Sequence, residues 1–368
     1  MKIAFICIKG MPIGGGVEKY TEELGSRLAS RGHEVIVYCS RSYGTRDGAF
    51  KGMRIVTLPS VNSRSLQKLS LSAVATLHQF FERGIDIVHY HAIGPSVFCL
   101  VARAFGRKTV VQSHGHEWMR AKWGWAGKTF FRLTEIVGVR CANHMSAVSN
   151  LLKQYYESKY RVPVSYVPTG VNPPVRRAPE RIREFGLEGN DYILFMARLV
   201  VEKGAHYLID AYKSLAPGIK LVIAGDAQHE ERYKELLRTK AAGHPGIIFT
   251  GFVTGALQEE LFSNARVYVL PSEIEGLPIS LLEAMSYGHC CVVSDIPENQ
   301  EALGGCGLLF RNKDPADLAI RLGEALLGGA AIEEMKRNAG RRALEEFTWD
   351  SIAVRFERIY AELMCPTA

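Results

Sequence analysis

The sequence predicts an α/β protein made of two doubly wound parallel sheets. Short β-branched runs alternate with amphipathic stretches from end to end, the pattern of parallel strands covered by helices. The chain has 368 residues, too long for one ordinary core and suited to two domains of roughly 150–200 residues each. Near its middle, Pro168 to Pro179 carries four prolines, two basic residues and a glycine, and it reads as a linker. These observations predict a first domain over 1–172 and a second over 173–350.

In the first half the apolar runs predict strands at Lys2–Ile8, Glu34–Ser40, Met53–Pro59, Asp86–His91, Lys108–His114, His144–Ser149 and Val164–Gly170. In the second half they predict strands at Tyr192–Ala197, Lys220–Asp226, Ile247–Val253, Arg266–Ser272, Cys290–Asp295 and Gly307–Phe310. Helical spacing of apolar positions marks Val17–Arg31, Ala205–Leu215, Glu230–Ala242 and Pro278–Tyr287. A last helix follows Thr348-Trp349-Asp350, with Ile352, Phe356, Ile359 and Leu363 on one stripe. It lies outside the strand–helix rhythm and is expected to cross back to the first domain over 351–368. Doubly wound sheets bind ligands at the carboxyl ends of their strands, which puts the expected site in a cleft between the domains.

Hydrophobic residues make up 47% of the chain and charged residues 23%, a globular mix that excludes a disordered or fibrous chain. No apolar run approaches the roughly eighteen residues of a membrane span, and the apolar N-terminus is too short for a signal peptide. The eight cysteines form no CxxC pair. Buried thiols at Cys7, Cys39, Cys290 and Cys291 in a reducing cytoplasm are expected. The net charge of +7 is uneven: residues 101–161 hold eleven basic side chains against three acids. Trp118, Trp123, Trp125, Phe130 and Phe131 are interleaved with them. Rings beside cations suit an anionic membrane surface, and a solvated basic face is the plainer reading. No nucleic-acid-binding pattern appears.

Four constellations carry chemistry. Gly14-Gly15-Gly16 follows the first strand and opens a helix, where backbone N–H groups can approach a phosphate. It fits neither a P-loop nor a dinucleotide fingerprint. Arg198 and Lys203 flank one strand–helix turn and can clamp a diphosphate. Glu275-Gly276-Leu277-Pro278 leads into a helix carrying Glu283, with Pro278 expected in its first turn and Gly288 at its C-terminal stop. Gly276 and Leu277 would offer backbone N–H groups there, and each carboxylate could hold vicinal hydroxyls. His114-Gly115-His116-Glu117 ends a strand and could serve acid/base chemistry. Its spacing is not that of a zinc site, and no Asp-x-Asp occurs to hold a metal-bound nucleotide.

Together these residues resemble the retaining glycosyltransferases of family 4, with the GT-B fold. The match rests on Glu275-x7-Glu283, on Arg198-x4-Lys203-Gly204, on Gly14-Gly15-Gly16-Val17-Glu18 with Arg31-Gly32-His33-Glu34-Val35, and on Phe347-Thr348-Trp349 before the last helix. It covers almost the whole chain. It implies an acceptor-side first domain and a second domain that binds a UDP-, dTDP- or GDP-sugar. Arg198 and Lys203 would neutralise the donor diphosphate without a metal, and no cofactor would be needed. Glu283 would bind the ribose, Glu275 the donor sugar, and Gly276 with Leu277 sugar or phosphate. Gly15 and Gly16 would lie against the diphosphate, His114 beside the reacting centre, and Gly251-Phe252-Val253 near the nucleobase. The leaving phosphate would take the acceptor proton by front-face attack.

Asp86–Pro95 and His114–Gly124 look like a bacterial branch that includes rhamnosyltransferases of surface polysaccharides. That branch implies a glycan or polyprenyl-linked acceptor, and a peripheral place at the inner face of the cell membrane. Two stretches depart from the family: Gly288-His289-Cys290-Cys291 replaces a small-Gly-x-Pro run, and Asp226 stands where a further glycine is common. The rival readings are a sugar-nucleotide epimerase or phosphorylase of the same fold, a Rossmann oxidoreductase and a non-catalytic membrane-binding module. The missing dinucleotide spacing speaks against the oxidoreductase.

Overall fold

A computed structural model describes the chain except for residues 7, 13–14, 64–65, 120–122, 216–217, 227–229 and 366–368. The chain divides into two compact units, Met1–Thr169 with Trp349–Ala368, and Gly170–Thr348. Both are sheets with crossover helices, parallel throughout except at one edge of the first, so the predicted architecture holds.

The first unit contains strands β1 (Lys2–Ile6), β2 (Glu34–Ser40), β3 (Gly48–Phe50), β4 (Met53–Leu58), β5 (Ile87–Tyr90), β6 (Lys108–Ser113), β7 (His144–Ala147) and β8 (Val164–Tyr166). Its helices are α1 (Gly16–Ser30), α2 (Gln67–His78), α3 (Cys99–Ala104), α4 (Trp125–Cys141) and α5 (Asn150–Tyr160). The sheet order is β3-β4-β2-β1-β5-β6-β7-β8. Ile3 to Ile6 in β1 are fully buried, because a central parallel strand is covered on both faces. The antiparallel edge strand β3 was not expected. Its three residues are exposed or half-buried and carry no apolar run to announce it.

The second unit contains β9 (Tyr192–Met196), β10 (Lys220–Ala224), β11 (Ile247–Gly251), β12 (Val267–Leu270), β13 (Cys290–Ser294) and β14 (Leu308–Phe310), in the order β11-β10-β9-β12-β13-β14. Its helices are α6 (Ala205–Leu215), α7 (Glu231–Ala241), α8 (Gly255–Asn264), α9 (Ile279–Ser286), α10 (Pro297–Leu303), α11 (Pro315–Leu327) and α12 (Ala330–Glu346). The last helix, α13 (Trp349–Met364), packs on α1 in the first unit and buries Trp349, Ile352, Phe356 and Tyr360. Arg27 and His33 hold its outer edge through Asp350 and Glu357, both at 3.0 Å.

Each sheet reverses direction once. In the first, the chain runs β1-β2-β4 one way and returns to β5 beside β1. In the second it runs β9-β10-β11 and returns to β12 beside β9. Loops leaving the strands at such a reversal diverge, which opens a crevice for a ligand. The glycine loop follows β1, the Arg198–Lys203 turn follows β9, and the Glu275 loop follows β12.

No described helix is long and apolar enough to cross a membrane. The cysteines at 39, 99, 290 and 291 are buried free thiols, and burial pushes Cys39 and Cys99 up to about 12. Cys7 lies outside the described residues.

Candidate functional site

In the second unit, the reversal between β9 and β12 brings two distant carriers of charge together. Lys203 ends a 3₁₀ turn, Val201–Lys203, and its ammonium pairs with the Glu275 carboxylate. The two side chains are 16% and 7% exposed. Backbone locks the arrangement: Glu273 N–H donates to Glu202 O at 2.8 Å, tying one loop to the other. The nearby acid Glu273 has other partners, Tyr207 at 2.9 Å and Lys313 at 2.7 Å. Arg198 stands exposed just past β9, and its guanidinium has no side-chain partner among the described residues.

Gly204 makes the turn possible. Its φ is +71°, and a Cβ there would lie 2.0 Å from Pro271 O. Gly204→Ala therefore has to push the two loops apart. It is expected to destabilise the second unit by about 2–3 kcal/mol and to weaken donor binding, read by thermal melts and by titration with a nucleoside diphosphate.

Glu283 lies half-buried in α9, with Gln258 Nε2 at 3.4 Å and 3.5 Å from its two oxygens. Helix α9 starts at Ile279, so Pro278 is the residue before the first helical one, extended at ψ 113°, rather than within the first turn. No side chain caps that end, and the first backbone donors belong to Ile279, Ser280 and Leu281. Gly276 and Leu277 precede the helix, with Leu277 buried. Gly288 takes the left-handed stop with φ +74°, as expected. Gly251 ends β11 with φ +70° and accepts Gly225 N–H at 2.8 Å. Phe252 beside it is 58% exposed and Val253 is buried. All these groups sit at the carboxyl edge of the second sheet.

His289, one of the two departures, is buried with its ring nitrogen against Phe262 O. Burial pushes its imidazole down to about 4. It therefore packs as a neutral donor to the last turn of α8.

The remaining predicted residues sit in the first unit. Gly15 precedes α1 and Gly16 opens it, while Gly14 lies outside the described residues. A Cβ on Gly15 would meet the Glu18 carboxylate at 2.2 Å, whereas nothing lies within 4 Å of one on Gly16. Glu18 is buried and accepts Lys9 N–H at 3.4 Å, so a carboxylate already rests at this helix start. His114 follows β6, half-buried, with its ring edge-on to Tyr20 at 4.8 Å and 5.9 Å from His91. The predicted residues thus form two groups, one at the carboxyl edge of each sheet.

The sequence reading missed Glu135. It is 1% exposed, and its carboxylate accepts from Trp118 Nε1, Tyr155 OH, Tyr160 OH and Lys159 Nζ at 2.6–3.1 Å. It thereby anchors the loop that runs on from His114. The available signal was its place as one of only three acids in the basic segment. That segment's rings divide: Trp118, Trp123 and Phe131 pack inward, and Trp125 and Phe130 face out.

Two sequence profiles match. "Glycosyltransferase Family 4" covers residues 14–174, and "Glycosyl transferases group 1" covers residues 178–343. An uncharacterised glycosyltransferase of Methanocaldococcus jannaschii is 31% identical over 48% of this chain and 47% of its own length, so the match spans about half of that relative. The UDP-Gal:alpha-D-GlcNAc-diphosphoundecaprenol alpha-1,3-galactosyltransferase of Escherichia coli is 25% identical over 81% of each chain. Among solved structures, HepE of Anabaena in complex with UDP and glucose superposes with a TM-score of 0.81 at 19% identity, covering 98% of this chain and 99% of its own. Two adjoining profiles, a site at the sheet reversals and the shared architecture agree: the chain belongs to the GT-B glycosyltransferases, family 4-like in its first half and group 1 in its second.

Proposed function

We propose that this glycosyltransferase is a retaining enzyme. It moves a hexose or deoxyhexose from a UDP-, dTDP- or GDP-sugar to a glycan or polyprenyl-linked acceptor in bacterial surface polysaccharide synthesis, without a metal or cofactor. The observation that carries this reading is the Lys203–Glu275 pair beside the exposed Arg198 at the second sheet's reversal. An ammonium has three protons, so Lys203 can hold Glu275 with one and a diphosphate oxygen with another. Arg198 adds a two-pronged donor. Positive charge aimed at the departing diphosphate stabilises the transition state where negative charge grows. Glu275 orients the sugar, Glu283 the ribose, and Phe252 offers a ring near the base. Gly15, Gly16 and His114 act from the first unit, His114 beside the reacting carbon. Gly276 and Leu277 approach sugar or phosphate through backbone. The lipid-diphosphate sugar in the E. coli relative's name supports the polyprenyl-linked acceptor.

The test is a melting screen against UDP, GDP, dTDP, ADP and NAD, with and without EDTA. Ligand at about a hundred times its dissociation constant adds about 2.7 kcal/mol. Stabilisation by one nucleoside diphosphate, unchanged by EDTA, is expected. Stabilisation by NAD alone, or by nothing, overturns the reading, and isomerised donor without acceptor would favour an epimerase.

The same reading places the enzyme at the inner face of the membrane through residues 101–161. Helix α4 supports this, because its solvent side is apolar: Trp125 (83% exposed), Phe130, Leu133 and Ile136 face outward, with Arg132 and Arg140 alongside. Cations near an anionic surface contribute about 1 kcal/mol each. Arg132→Gln and Arg140→Gln should each weaken flotation with phosphatidylglycerol vesicles about fivefold. Trp125→Ser with Leu133→Ser should weaken it further, with UDP, GDP or dTDP affinity unchanged. Equal flotation of all variants would remove α4 from the contact.

A further inference from the structure

The chain passes between the units twice, after Thr169 and after Thr348. On the second unit's side the two passages are paired: Val171 N–H donates to Phe347 O at 2.6 Å, and Val171 bridges Thr348. On the first unit's side both meet one residue. The Tyr20 hydroxyl reaches Pro168 O at 3.5 Å, and the Tyr20 ring stands edge-on to Trp349 at 5.1 Å and 82°. Pro168 and Trp349 are within two residues of the two passages. Tyr20 and Trp349 are both buried.

Tyr20 also touches the candidate site. Its ring stands edge-on to His114 at 4.8 Å and 80°. Tyr20 lies one turn into α1, the helix that Gly16 opens. Its hydroxyl accepts from Gln112 Nε2 at 2.8 Å, and that amide also donates to Val167 O at 3.2 Å. Gln112 is on β6, two residues before His114. Burial raises the Tyr20 phenol well above its ordinary value, so it keeps its proton for Pro168. The ring is therefore fixed at its hydroxyl end by two backbone-anchored partners and is packed between Trp349 and His114.

We infer that Tyr20 is a positioning residue that ties the place of the His114 imidazole to the two paired passages between the units. A closely packed interior transmits a shift of one ring to the next. A displacement at Pro168 or Trp349 moves Tyr20, and Tyr20 moves His114. The inference rests on the transferase reading only for what His114 does, since the packing chain stands without it.

The test uses the full chain with isotope-labelled histidine, and His114→Gln identifies the His114 signal. In Tyr20→Leu the His114 imidazole signal and its titration midpoint should move, and Tyr20→Phe should give a smaller movement. With the donor chosen by the melting screen, turnover in Tyr20→Leu should fall about ten- to a hundredfold, with donor KM changed less than about twofold. Tyr20→Phe should recover most of that loss. Because Tyr20 acts through His114, Tyr20→Leu combined with His114→Gln should be no slower than His114→Gln alone. An unmoved His114 signal, or losses that multiply in the double variant, overturns the proposal. If Tyr20→Leu does not fold, Tyr20→Phe decides, because it releases the ring from Gln112 and Pro168, and an unmoved signal there overturns the proposal equally. Absence of transfer with every donor would sink the transferase reading, while the magnetic resonance result would still decide the positioning.

Discussion

Lys203→Ala and Glu275→Ala should each lower turnover by about 10²–10³, and each should also weaken the second unit. The two effects have separate causes. Transfer suffers because charge or sugar contacts are removed from the reacting end of the donor. Stability suffers because either change leaves the other charge in a setting where Lys203 is 16% and Glu275 7% exposed. Breaking a largely buried pair costs about 3–5 kcal/mol. The double variant Lys203→Met/Glu275→Gln separates the causes, since it removes both charges and keeps the volume. It should regain most of the lost melting temperature and none of the lost transfer. Melting curves and initial rates on the same preparations check this. A double variant that transfers at the wild-type rate, or single variants that do, would reduce the pair to a structural tie between two loops.

Acid should destabilise both units well before their carboxylates titrate. His89 and His91 are fully buried on β5 and at its end, stacked at 4.2 Å, and burial first, then neighbouring imidazoles, lowers both well below the ordinary value. In the second unit His289 sits at about 4. The unfolded chain binds protons at these residues near pH 6.5 while the folded chain does not, so stability falls as pH falls through that range. For His289 the loss is about 1.4 kcal/mol per pH unit below about 6.5, or about 2 kcal/mol at about pH 5. It stops growing below about 4, where the folded form also takes the proton. Thermal melts from about pH 7 to about pH 5 check the slope. His289→Gln, which can keep a donor toward Phe262 O, should flatten the second unit's share. A melting temperature unchanged over that range would show these histidines already charged in the fold.

Every strand but β3, and the helices α1, α6, α7, α9 and α13, could be read from the amino-acid pattern. Parallel strands buried on both faces must be continuous apolar runs, as in Ile3–Ile6 and Tyr192–Met196, and such runs are readable without knowing the neighbours. The α13 stripe was legible for the same reason, and β3 was not, because a three-residue exposed edge strand has no apolar demand to display. Candidate residues at strand ends were legible because turn chemistry is local. Tertiary structure alone decided which of them meet. Lys203 and Glu275 are 72 positions apart and are joined because β12 returns to lie beside β9. Glu135 looked like a stray acid until four donors, Trp118 from the turn after β6 and three from α5, closed on it. Tyr20 gave no signal in sequence, since a tyrosine on the inner face of a helix reads as core. The outward stripe of α4 has the periodicity of a buried face, and periodicity states only that one side is apolar. Which side is covered is a property of the layer packed against it, and that is fixed by contacts between residues far apart in the chain.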